Sequence, residues 1–309
     1  MRFPYNRVIV YVCLTILLLP AMAVAGPPVR VVASFSILAD MARQIGGEWV
    51  TVHSLVGPDG DTHVYEPNAA DARELLSADL FLINGLGFEG WIERLIKATG
   101  FKGTVVTATD GINRLPLAGE GQTGQNRAAD PHAWHDLTNG RIYAANIAAG
   151  LLKMVPERAD ALRARAARYD AQLTELDRWV RSRFATVATD RRKAITNHDA
   201  FGYFSRAYGV TFLAPVGAST EAEPSAHAVA QLARQARREG IRTVFVEGLS
   251  DPRLMQQLAR EAGAAMGGRL YADTLSSPDG PAATYVEMVR HNVTLLSQAM
   301  SSAHPPKER

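Results

Sequence analysis

A long helical stretch in the middle of the chain constrains the fold more than any other feature. From Pro156 to Ala185, Leu162, Ala166, Tyr169, Leu173, Leu176, Val180 and Phe184 recur three or four residues apart, with charged residues between them. Pro156 suits the first turn of such a helix. A rod of this length reaches about 45 Å, the span of a whole small domain. A coiled coil would require sustained heptads and a partner strand. A rigid spine crossing two lobes fits better, and it limits hinge motion between them.

On either side of the rod the elements follow one order. Val29–Phe35 reads as a buried strand, and a helix from Ser36 to Ile45 stops at Gly46-Gly47. A strand over 50–56 leads into the turn GPDGD, a helix over 69–77 capped by Asn68, and a strand over 80–84. After the rod come a strand over 193–198, a helix over 199–208 and a strand over 210–216. The turn GASTEAEPSA, a helix over 226–239 and a strand over 243–247 follow. Strands alternating with helices imply parallel sheets. The expectation is an α/β fold of two pseudo-symmetric lobes: an N-terminal lobe over 26–154, a linking spine helix over 155–186 and a C-terminal lobe over 187–309. The polar, glycine-rich stretch Leu117–Ala129 reads as a mobile loop.

The first residues bear on compartment and ligand chemistry. Arg2 and Arg7 precede an apolar run, Val8–Leu19, and Ala23-Val24-Ala25 offers a cleavage site, so residues 1–25 read as a secretory signal peptide. The only cysteine, Cys13, lies inside the apolar run behind Tyr11 and Val12. The expectation is therefore a periplasmic protein without a lipid anchor. A mature chain without a thiol must hold any metal through His, Asp or Glu. The formal charge of +2 includes Arg2 and Arg7. The mature chain is then close to neutral, and nothing points to nucleic acid.

Four residues stand near strand ends: His63 in GDTHVYEP, His132 in DPHAWHD, His198 in ITNHDAFGYF and Asp273 in YADTLSS. Taken singly, each has a plain reading, as a loop histidine, a core histidine or a turn cap. His135 competes with His132: on a helix the two share a side, and in an extended segment they point to opposite faces. Taken together, residues outside the carboxyl ends of strands converge in an open α/β architecture. Three imidazoles and one carboxylate make a closed tetrahedral site for a divalent transition metal, zinc by preference. His53, His227, His291 and His304 fall within a strand, on helix surfaces and in the polar tail.

The motifs VGPDGDTHVYEP, DPHAW, NHDAFGYFSRAYG, EAEPSA, FVEG and YADTL resemble those of the metal-binding solute-binding proteins of ABC importers, called cluster A-I or cluster 9. The resemblance runs from about Val31 to Met300. It implies two α/β lobes joined by one long helix with the metal between them. It also implies the ligand set His63, His132, His198 and Asp273, and thereby selects His132 over His135. Members resembling manganese binders often carry glutamate at the position of His198, so histidine there favours zinc; Asp273 pulls the other way. The histidine-rich loop of many zinc members has no counterpart in Leu117–Ala129.

The implied function is capture of Zn2+ as transported ligand and its delivery to the membrane permease of an ABC transporter. Mn2+ or iron is the alternative cargo, and a periplasmic metallochaperone is an open partner. A monomer is expected. A zinc hydrolase is the enzyme alternative, but four ligands close the shell and neither HExxH nor GxSxG occurs, so no enzyme is expected. Glu66, Glu223 and Glu247 are the carboxylates available to orient the imidazoles, and release is expected to need the permease to separate the lobes or to displace a ligand segment, above all the one bearing Asp273.

Overall fold

The structure is a computed structural model that describes residues 26–117, 128–248 and 250–302. The expected leader at 1–25 and most of the 117–129 loop lie outside the described residues. In the first half come β1 (Val29–Phe35), α1 (Ser36–Gly46), β2 (Val50–Val56), α2 (Ala69–Leu76), β3 (Leu80–Ile83), α3 (Ile92–Thr99) and β4 (Thr104–Thr107). Two long helices follow, α4 (Leu137–Met154) and α5 (Ala159–Ala185). The second half holds β5 (Lys193–Ile195), α6 (Gly202–Tyr208), β6 (Thr211–Leu213), α7 (Ala226–Glu239), β7 (Thr243–Glu247), α8 (Arg253–Ala262), β8 (Ala265–Leu270) and α9 (Tyr285–Ser301).

The strands form two parallel four-stranded sheets, ordered β2-β1-β3-β4 and β6-β5-β7-β8. In chain order the two sequences of strands are the same, which makes β2 and β6 equivalent edge strands and β1 and β5 equivalent inner ones. The chain leaves β1 for one side and β3 for the other, so a crevice opens at the carboxyl ends of the inner strands. The expected two-lobed α/β fold stands.

The helical stretch begins with a 3-10 turn at Pro156–Arg158 and continues as α5, which buries Leu162, Tyr169, Leu173, Leu176, Val180 and Phe184. It packs on α1 and α4 of the first lobe and on α6 and α9 of the second. One hydrophobic core accordingly runs from the first sheet, past the spine, into Phe201, Phe204, Leu270, Leu275, Tyr285 and Val293. A second, smaller core lies between the second sheet and α7 and α8, around Val229, Leu232, Val244 and Leu258. Opening the lobes as a clamshell would expose much of the larger core, which the hydrophobic effect resists.

Local differences from the sequence reading have identifiable causes. The strand expected over 193–198 ends at Ile195, with one further bridge between His198 and Val216. The Asn197 and His198 amides donate instead to Glu247 Oε1, at 2.7 and 3.3 Å, which takes them out of the ladder. Within α4, Gly140 and Gly150 look like helix breakers. A β-carbon at Gly140 would meet the Tyr285 hydroxyl at 2.5 Å, and one at Gly150 would meet Val106 at 2.7 Å. These glycines serve close packing.

Candidate metal centre

His63 lies between β2 and α2, His132 just before the 3-10 turn Ala133–His135, His198 beyond β5 and Asp273 beyond β8. Each is therefore carried past the carboxyl end of a strand or on the segment entering α4. Their potential donor atoms all lie within 4.8 Å of one another. His63 Nε2 and His132 Nε2 are 3.3 Å apart. Asp273 Oδ2 is 3.0 Å from His198 Nε2 and 3.4 Å from His63 Nε2, and Asp273 Oδ1 is 3.6 Å from His132 Nε2. A tetrahedral ion bound at about 2.0–2.1 Å separates its donors by roughly 3.3–3.4 Å. Four of the separations, from 3.0 to 3.6 Å, bracket that value.

Second partners settle which ring nitrogen faces the centre. Asp130 Oδ1 accepts from His132 Nδ1 at 2.8 Å, and Glu247 Oε2 accepts from His198 Nδ1 at 2.5 Å. A carboxylate can only accept, so each Nδ1 carries a proton and each Nε2 is the atom turned inward, with a lone pair to give once the ring is neutral. Of the three carboxylates considered from sequence, Glu247 does this work, whereas Glu66 and Glu223 are exposed. Asp130 was not among them. It also accepts the His132 amide, at 2.9 Å. The signal was its place two residues before His132, across Pro131.

The centre is buried: His132 is 0% exposed, His198 3%, and His63 and Asp273 9% each. Phe88 packs edge-on against His63, and Phe88, Phe35 and Trp134 form an aromatic floor beneath it. Asp273 Oδ1 is buried without a formed hydrogen bond among the described residues, whereas His198 Nε2 has only the ion-pair contact to Asp273 Oδ2 at 3.0 Å. Buried polar atoms left so are rare and call for a ligand. A divalent cation would supply what the Asp273 oxygen lacks.

The charges are arranged for that exchange. Burial alone would lower the pKa of His198, but Glu247 and Asp273 outweigh it and hold the imidazole well above its ordinary value. Burial alone would raise Asp273, but His198 and His132 hold its carboxyl well below the usual carboxylate range. Without a metal the pair favours an imidazolium beside a carboxylate, and a cation would displace the proton. Burial above all, then the charge of His132, pushes His135 down to about 3. His135 stays neutral, stacks near Phe201 at 4.5 Å and is not part of the cluster.

The Asp273 segment is tied down on several sides. Asn292 accepts the Tyr271 amide at 3.0 Å and donates to its carbonyl at 2.6 Å, and Trp134 Nε1 donates to Ala272 O at 2.9 Å. Ser36 Oγ accepts the Leu275 amide at 2.9 Å, and the Asp59 amide donates to Leu275 O at 3.0 Å. The segment expected to move on release is bonded largely to the opposite lobe, which makes it a poor candidate for displacement.

Two parallel α/β lobes on a spine helix, with a buried three-histidine, one-aspartate cluster between them, define a two-lobed binding protein for a metal ion. Residues 31–299 match the ZnuA family, described as zinc-uptake complex component A periplasmic, and the chain belongs to that family. It is 34% identical over 284 residues to the manganese-binding lipoprotein MntA of Bacillus subtilis (strain 168), covering 89% of this chain and 91% of that one. It is 31% identical to the iron ABC transporter substrate-binding lipoprotein MtsA of Streptococcus pyogenes serotype M1, covering 88% and 89%. The periplasmic zinc binding protein TroA of Treponema pallidum superposes with a TM-score of 0.83 at 29% identity, covering 90% of this chain and 100% of that one. The chain is thus a metal-binding substrate-binding protein of an ABC transporter and not an enzyme, and that role implies a membrane permease as partner.

One expectation is corrected here. Relatives covering about nine-tenths of the chain are named lipoproteins, which conflicts with a periplasmic protein free of a lipid anchor. The fold and the site do not depend on how the N-terminus is processed, so the arguments that located the centre have no hold on anchoring. The reading based on the residues before Cys13 is withdrawn.

Proposed function

We propose that His63, His132, His198 and Asp273 together bind one divalent ion, and that the ion this receptor captures for import is zinc. The observation that carries the reading is the convergence of three imidazole nitrogens and a carboxylate within 4.8 Å of one another, two imidazoles being fixed by carboxylates behind them. Three neutral nitrogens suit zinc better than a harder oxygen-seeking ion. One negative charge leaves the loaded centre near +1, less costly to bury than a bare dication.

Manganese is the second reading, and a specific feature favours it. Both oxygens of Asp273 face the imidazoles, so the carboxylate can bind through two atoms and raise the coordination number above four. Relatives named for manganese and iron point the same way. Competitive titration of metal-stripped protein with zinc and manganese, with the bound metal counted by elemental analysis, decides between them. One tightly held zinc that manganese in excess cannot displace supports the first reading. Retention of manganese against equimolar zinc would replace it by the second.

A further inference from the structure

Beside His198 and Asp273 of the candidate ligands a cavity of about 300 Å³ opens to solvent, lined in part also by Asp61, Asn197, Thr220 and Glu247. The other sides of the centre are closed by buried groups. Phe88 and Trp134 wall it below, Trp134 Nε1 is bonded to Ala272 O at 2.9 Å, and the Tyr285 hydroxyl donates to Trp134 O at 2.5 Å. An ion leaving through those walls would have to break the shared core. The cavity offers the low-cost route.

Across its mouth, one described hydrogen bond joins the loop after β2 to the loop after β6. Thr220 Oγ1 donates to Asp61 Oδ2 at 2.7 Å. The other oxygen, Asp61 Oδ1, accepts the His63 amide at 2.9 Å. Asp61 is exposed and Thr220 half-buried, so water competes for this contact in a way it cannot for the buried ones. The strands β2 and β6 hold the same edge position in their sheets, so the two loops are equivalent parts of the two lobes meeting over the centre.

We propose that Asp61 and Thr220 form a clasp over the metal cleft, positioning residues that set how fast the ion leaves without giving it a donor atom. When the clasp is made, one carboxylate holds both the opposite loop and the backbone of a ligand histidine. When it opens, the mouth widens, while Asp61 Oδ1 keeps its bond to the His63 amide and the coordination of the ion is unchanged. This rests on the reading of the centre given above.

The test follows the loss of Co2+ from the full-length protein to an excess of chelator in stopped flow, with the visible absorption of the bound ion as the record of its coordination. Thr220→Val keeps the side-chain shape and removes the donor, and Thr220→Ser keeps the donor. The expected result is loss roughly threefold to tenfold faster in Thr220→Val, the scale of one partly solvated hydrogen bond. Thr220→Ser is expected to keep the wild-type rate, with one ion per chain and the same spectrum in all three. An unchanged rate in Thr220→Val, a Thr220→Ser protein as fast as Thr220→Val, or an altered spectrum would overturn the clasp. Wild-type protein that takes up no cobalt would instead remove the reading of the centre, and the clasp with it.

Discussion

At Glu247 a single carboxylate takes the Asn197 and His198 amides on one oxygen and the His198 ring on the other. It therefore sets both the position and the tautomer of a proposed ligand. Glu247→Gln should lower metal affinity by about 10–100-fold while the protein stays folded, as should Asp130→Asn, both read by chelator competition. Proton traffic is the second test at this scale. Because His198 is held well above its ordinary pKa, metal binding should release a proton from it. Affinity should fall as pH drops through the raised pKa. Titration calorimetry in buffers of different ionisation heat should show close to one proton released per ion at neutral pH. No release would show that His198 is already neutral. The same shift favours the metal-free fold at low pH, and that contribution is lost as pH rises through the raised value. His63, His198 and Asp273 were legible because histidine and aspartate stand out at strand ends. Asp130 was not, since its contact with His132 depends on the backbone around Pro131.

Among the elements, the segment from Tyr271 to Ser276 decides how firmly Asp273 is held. Asn292, on α9, pairs with both backbone groups of Tyr271 while being almost wholly buried. Asn292→Ala leaves an amide and a carbonyl without partners and should cost about 1–3 kcal/mol of stability for each group left buried. Chemical denaturation of the metal-free variant checks this, and metal affinity should fall with it. An unchanged midpoint would mean that water takes over both groups. Most helices and strands were legible from periodicity and glycine stops, as at Gly46-Gly47 and Gly209. The reading left α3, β4, α8, β8 and α9 unassigned, and elsewhere tertiary contacts override local pattern. Gly140 and Gly150 interrupt the signal of α4 for the sake of Tyr285 and Val106. The strand before His198 ends early because a glutamate from β7 takes its amides.

For the molecule as a whole, the core shared across the spine implies that binding changes shape little. Small-angle scattering of metal-free and metal-loaded protein should give nearly superimposable profiles, whereas a wide clamshell closure would contradict the shared core. Metal should nevertheless stabilise the fold, because it binds only the assembled centre. Free ion at 1,000 times Kd should add about 4.1 kcal/mol, visible as a rise in Tm that a chelator reverses. The spine and the two-lobed plan were readable from sequence, and the four candidate residues named from it lie together. The continuity of the core was not, because periodicity shows which face a helix buries and not what lies against it. The most direct test of the proposed centre is X-ray absorption at the metal edge of zinc-loaded protein. Three imidazole nitrogens and one carboxylate, with metal–donor distances of about 2.0–2.2 Å, are the predicted environment. A shell with fewer than three imidazoles, or one left unchanged by His198→Ala, would contradict it.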